Sequence, residues 1–138
     1  DKEIERVVGM TVSEIFKRYG EIRFRSEEKL IAQKLARESG LVIATGGGVV
    51  LEQVNMDTLS RNGIIICLEA TPNEIFERVN RKKGTRPLLR KNLQVQDIEE
   101  MLKARESLYA QAEYRVNTSG KSAEQVANEI IEIVKREE

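Results

Sequence analysis

The sequence predicts an α/β fold built on a parallel sheet, and two observations carry that prediction. Short β-rich runs at residues 41–45, 64–70 and 114–118 are separated by stretches with helical periodicity, the alternation expected of strands joined by crossover helices. The first run, Val42-Ile43-Ala44-Thr45, breaks into Gly46-Gly47-Gly48 before Val49-Val50. In such sheets ligands sit just outside the carboxyl ends of the strands, where a backbone without side chains can approach them closely. The triplet also reads as a plain strand-to-loop turn, and on its own it leaves both readings open.

The helices are well signed at both ends. Thr11 with Glu14, Thr71 with Glu74 and Ser122 with Gln125 each match the capping box, and Pro72 occupies the favoured first helical position. Gly20, Gly40 and Gly63 each fall just past a periodic segment, as helix stops do. Residues 94–112 carry Val95, Ile98, Met101, Leu102, Leu108 and Tyr109 on a mainly apolar stripe. The final helix, residues 123–135, is expected to bury Val126, Ile130, Ile133 and Val134. There is no repeat, low-complexity segment or linker, and 138 residues fit a single domain, 1–138.

Composition excludes several classes of function. Acidic and basic residues balance at 23 each, so no global field recruits nucleic acid or an anionic membrane. Aromatic residues make up 4% and Trp is absent, which argues against base-stacking platforms. The chain has no His, which removes the commonest general base, the usual transition-metal ligand and every Ser–His or Cys–His nucleophile. The single Cys67, within Ile64-Ile65-Ile66-Cys67-Leu68, reads as a buried core thiol. No apolar stretch approaches membrane-spanning length, and a reducing, cytoplasmic setting is the expectation. The phosphate-cradling pattern G-x-x-x-x-G-K-[ST] occurs nowhere in these residues.

Two features admit a binding role beside a bland one. The basic stretch at residues 81–92 contains Arg81, Lys82, Lys83, Arg86, Arg90 and Lys91, with Gly84 and Pro87 among them. It is either a solvated surface loop or a lid that closes over phosphates, where positive charge stabilises a transferring phosphoryl group. Arg25 follows Phe24 early in a helix, Arg78 ends the helix begun by Thr71-Pro72, and Arg105 lies near the apolar stripe of residues 94–112. Such arginines either pair with a carboxylate structurally or grip a substrate carboxylate with the planar guanidinium fork.

An ordered set of motifs now becomes recognisable. Asp1-Lys2-Glu3-Ile4-Glu5, Ile15-Phe16, Gly20-Glu21 with Phe24-Arg25, the Gly46–Gly48 triplet, Thr85-Arg86-Pro87-Leu88-Leu89, and Arg105 with Leu108-Tyr109 follow one another at suitable spacing. Together they resemble the shikimate kinase family, from the first residue to the last helix. The resemblance implies a P-loop NTPase-like three-layer sandwich whose parallel sheet has strand order 2-3-1-4-5. It implies ATP-dependent phosphorylation of the 3-hydroxyl of shikimate, a step in aromatic amino acid biosynthesis, with ATP and Mg²⁺ as cofactors in a monomeric enzyme. The alternatives weighed are a catalytically inactive shikimate-binding module and a related kinase acting on another polyol acid such as gluconate.

The resemblance also assigns roles. Asp1 resembles the second aspartate of the family's Asp-x-Asp motif, which contacts the ring hydroxyls and is a candidate base for the 3-hydroxyl. Arg25 and Arg105 resemble the pair that clamps the shikimate carboxylate, and Gly46, Gly47 and Gly48 the loop that lines the substrate. Arg86 resembles a lid arginine reaching the ATP phosphates and the substrate, and Arg78 the arginine near adenine. Two departures follow. The family's first strand, phosphate loop and first helix precede the position matched by Asp1, and both family Mg²⁺ contacts lie in that segment, so no metal ligand is assigned here. Asn117-Thr118 stands where an Asp-Thr pair is usual. The runs at 41–45, 64–70 and 114–118 would then be the third, fourth and fifth strands. The first strand belongs between the third and fourth, so the sequence is expected to be part of a longer molecule.

Overall fold

The computed structural model describes residues 1–81 and 93–138, which divide into two compact units. The first, Asp1–Gly63, is helical: α1 (Lys2–Val8), α2 (Val12–Tyr19), α3 (Glu21–Ala36), a 3₁₀ turn (Gly47–Leu51) and α4 (Gln53–Arg61). The capping box at Thr11 forms as predicted, with the Thr11 hydroxyl accepting from the Glu14 N–H and the Glu14 carboxylate accepting in return. Glu5 of α1 adds a second cap by accepting from the Val12 N–H at 2.9 Å, which ties α1 to the start of α2. Gly20 closes α2 with φ of 87°, a conformation a side chain would strain, and its N–H bonds back to Ile15 and Phe16.

Helix α3 packs against α1, α2 and α4. The core between them is Ile4, Val12, Ile15, Phe24 and Ile31, with Ile15 wholly buried and the Phe16 and Phe24 rings 4.8 Å apart in a tilted pair. Each such aliphatic side chain stabilises the fold by roughly 1.5–3 kcal/mol. Phe24 therefore anchors the first turns of α3 and fixes where its neighbour Arg25 emerges.

The strand expected at residues 41–45 does not form. Leu41, Val42 and Ile43 are exposed, Val42 completely. A strand needs a neighbour to satisfy its N–H and C=O groups, and among the described residues this unit contains no strand to pair with.

The second unit comprises Ile64–Arg81 and Leu93–Glu138. Its two strands, β1 (Ile66–Glu69) and β2 (Tyr114–Asn117), pair in parallel with Ile66 opposite Tyr114 and Glu69 opposite Asn117. The predicted fourth and fifth strands are thus direct neighbours, as the expected order requires. Around them lie α5 (Pro72–Asn80), α6 (Val95–Tyr109) and α7 (Ala123–Glu137), with α5 packed on α6 and α7 on β2. Val116, Val126 and Ile133 form a core flanked by Ile66, Tyr114 and Ile130. Arg115 crosses the outer face to Glu106 at 2.8 Å and Glu69 at 3.1 Å. Cys67 is half-buried, not a core residue as expected, because β1 has only one strand beside it among the described residues. Burial still pushes its thiol pKa up, which keeps it protonated and a poor nucleophile.

The start of α5 is locked to the turn after β2. Glu74 completes the capping box with Thr71 and accepts from the Ser119 hydroxyl at 2.5 Å. The Ser119 hydroxyl first, then the Thr71 N–H and hydroxyl, hold the Glu74 carboxyl at about 2, against an ordinary value of 4.5. A depressed carboxylate pKa contributes stability that is complete above the ordinary value and lost as pH falls through the depressed one. Across that acid window the melting temperature of the wild type is expected to fall more steeply than that of Glu74→Gln, which keeps a capping side chain without the titrating charge. Parallel melting curves for the two proteins would dismiss the link.

Candidate functional site

The first unit brings three of the sequence-predicted elements together: Asp1, the glycine triplet and Arg25. Asp1 immediately precedes α1, and Arg25 stands in the second turn of α3 beside the buried Phe24. Gly46 has the extended conformation (φ −75°, ψ 160°), and Gly47 opens the 3₁₀ turn. The Asp1 carboxylate lies beside Gly46, where an added Cβ would stand 3.8 Å from Oδ1. The Arg25 guanidinium lies directly against Gly48, where a Cβ would stand 2.5 Å from Nη1 and 2.7 Å from Cζ. Glycine at 48 permits this close approach: any side chain there would force the guanidinium to shift.

Arg25 is itself firmly held. Its side chain is 12% exposed, Nη1 donates to Glu28 at 3.0 Å, and Nε lies 3.5 Å from Glu21. Glu28 is 8% exposed, so the pair is largely withdrawn from water. Nε is buried without a hydrogen-bond partner. The arrangement places a carboxylate and an under-satisfied guanidinium along one side-chain-free loop. Chemically, that suits a small ligand bearing hydroxyls and an anionic group. Arg25 thus makes a structural ion pair, the first of its two readings, and its guanidinium also lies against the candidate loop. Sequence analysis missed Glu28 as its partner, although the i,i+3 spacing carries that signal.

Of the other predicted residues, Arg78 and Arg105 belong to the second unit. Arg78, near the end of α5, donates from Nη1 to the Thr118 hydroxyl at 2.9 Å, and Thr118 donates to the Glu69 carbonyl at 2.7 Å. Asn117 accepts from the Ser119 N–H at 2.9 Å, which shapes the turn beside Arg78. Arg105 is half-buried on α6, in the second unit, whereas Arg25 belongs to the first. Arg86, with the lid expected at residues 81–92, lies outside the described residues except for Arg81. Among the described residues no group of His, Cys, Asp or Glu could hold a metal, so they do not fit a Mg²⁺ site of their own. Among them, too, no helix is long and apolar enough to cross a membrane.

Comparison with known proteins agrees over nearly the whole chain. The profile of the family described as shikimate kinase matches residues 1–135. A shikimate kinase from Pelotomaculum thermopropionicum is 47% identical over 135 residues, covering 98% of this chain and 78% of that protein. One from Desulforudis audaxviator is also 47% identical over 135 residues, covering 98% and 70%. The structure of shikimate kinase from Acinetobacter baumannii in complex with shikimate superposes with a TM-score of 0.92 at 33% identity, covering 100% of this chain and 77% of that one. The fold is accordingly the α/β, P-loop NTPase-like one anticipated. The ordered motifs, the parallel pair of strands and these matches agree that the chain belongs to the shikimate kinase family.

Proposed function

We propose that Asp1, the Gly46–Gly48 loop and Arg25 form the shikimate side of this enzyme. The activity is that of its family: transfer of a phosphoryl group from ATP to the 3-hydroxyl of shikimate, in aromatic amino acid biosynthesis. The observation that supports this use of the residues is the contact of Gly48 with the Arg25 guanidinium, with Asp1 beside Gly46. Arg25 would take the shikimate carboxylate, with Arg105 as the second arginine by family resemblance. Asp1 would accept a hydrogen bond from the hydroxyl and receive its proton as the oxygen attacks, the role its family resemblance implies. Fixing the carboxylate at one end presents the hydroxyl face in a single orientation, which converts binding into positioning.

When bound, ATP·Mg²⁺ would supply the phosphoryl group, with ADP as the leaving group and the metal offsetting the phosphate charge. On the nucleotide side we assign Arg78 to the adenine region and Arg86 to the phosphates. The same reading has a monomeric cytoplasmic enzyme with shikimate and ATP as its ligands and no nucleic-acid or membrane partner, in keeping with its balanced charge. Coupled assay of the active enzyme should show ATP-dependent phosphorylation of shikimate and none of gluconate. Arg86→Ala is expected to lower kcat about tenfold, the effect of about 1.4 kcal/mol at the transition state. Turnover that survives this substitution would return the basic segment to a solvated surface loop.

A further inference from the structure

We infer that Asn55 is a positioning residue for the glycine loop, acting through the carbonyl of Val49. Asn55 is 1% exposed, one of the most deeply buried side chains among the described residues, yet it lies in the first turn of α4. Asparagine is a poor helix former, and a buried amide costs stability unless its polar atoms are paired. Only half of this amide is accounted for. Nδ2 donates to the Val49 carbonyl at 3.2 Å, whereas Oδ1 is buried with no hydrogen-bond partner. An aliphatic side chain of similar size would avoid that orphaned acceptor, so packing alone does not explain an amide here.

What the amide does is hold the backbone just after the triplet. Three successive glycines have the widest conformational freedom a chain can have, and the 3₁₀ turn they open has no side-chain cap at its start. The Val49 N–H donates to the Gly46 carbonyl at 3.3 Å, and the Val49 carbonyl accepts from Asn55. The Asn55 N–H in turn donates to the Glu52 carbonyl at 3.0 Å, which seats the amide on the first turn of α4. Gly46–Gly48 are thereby tethered to a helix that packs on α3, the helix carrying Arg25. The tether pre-organises the loop, so that substrate does not have to order it on binding.

The inference rests on the reading of this loop as the shikimate-lining segment, and the test separates the two. In the active enzyme, Asn55→Leu removes the donor while filling the space. It is expected to raise KM for shikimate about tenfold, the worth of one lost buried hydrogen bond, with KM for ATP unchanged. Asn55→Ala, neutral, smaller and lacking the amide donor, carries the same kinetic test should the leucine variant not fold. Unchanged shikimate KM in these variants overturns the inference, and so does an equal rise in KM for both substrates. Gly48→Ala is the control: normal shikimate kinetics in that variant would sink the loop reading itself, whereas impaired kinetics beside a normal Asn55→Leu would sink only the role of Asn55.

Discussion

Arg25→Ala is expected to weaken shikimate binding by about 2–4 kcal/mol, roughly a thirty- to thousand-fold rise in Kd, with ATP affinity nearly intact. Two losses add together. The charge-assisted fork that would grip the substrate carboxylate is gone. In addition, Glu28, 8% exposed and now without its 3.0 Å partner, becomes an uncompensated negative charge beside the place proposed for the substrate carboxylate. The second loss also threatens folding, since leaving one partner of a buried pair costs roughly 3–5 kcal/mol. The double variant Arg25→Ala with Glu28→Gln separates the two effects: it should recover thermal stability and regain only part of the shikimate affinity. Titration calorimetry with each ligand, alongside thermal melts, reads all of this. If the double variant bound shikimate like the wild type, or if both ligands weakened equally in the single variant, Arg25 would be a structural residue only. Arg105→Ala is expected to follow the same ligand pattern without the Glu28 component.

The difference between what was legible in the sequence and what was not follows the range of the interactions. The capping boxes at Thr11, Thr71 and Ser122 formed as read, because each is a contact three residues apart that the local chain decides alone. The apolar stripe of α6 was likewise readable, because burial of one face imposes a period; on α7 Val126 and Ile133 are buried and Ile130 partly so, but Val134, expected inside, is exposed. Residues 41–45 carry the composition of a strand, but a strand is completed by its neighbour, and composition says nothing of whether one is present. Cys67 was misjudged for the same reason. At the site, the motif order led to Asp1, Gly46, Gly48 and Arg25, which the fold brings together. Glu28 had a visible spacing from Arg25, but Glu21 has one as well, and only packing shows that Glu28 is the buried partner. Asn55 gave no signal, since an asparagine near a helix start reads as a turn or cap, and its bond to Val49 depends on the path of an irregular loop.

The glycines of the triplet are not equivalent, and alanine substitution should separate them sharply. A methyl at Gly48 would stand 2.5 Å from Nη1 and 2.7 Å from Cζ of Arg25, where non-bonded contacts settle at about 3.5–4.0 Å, so about an ångström must be found. Arg25 cannot yield it freely, being 12% exposed and bonded to Glu28. The loop cannot either, since the Val49 carbonyl is held by Asn55. Whichever gives way, the guanidinium or the loop backbone is displaced by about an ångström from its place in the proposed site, and a shift of that size would cost on the order of a hundredfold in rate. Gly48→Ala is therefore expected to lower kcat/KM for shikimate by about a hundredfold. Gly46 has an extended conformation open to any residue, and its added methyl would meet Asp1 Oδ1 at an ordinary 3.8 Å. Gly46→Ala should stay within about threefold of the wild type, the scale of a single new van der Waals contact. Steady-state kinetics on the two variants side by side decides the matter: equal effects at 46 and 48 would mean that the triplet serves the turn alone and that its contact with Arg25 is incidental to catalysis.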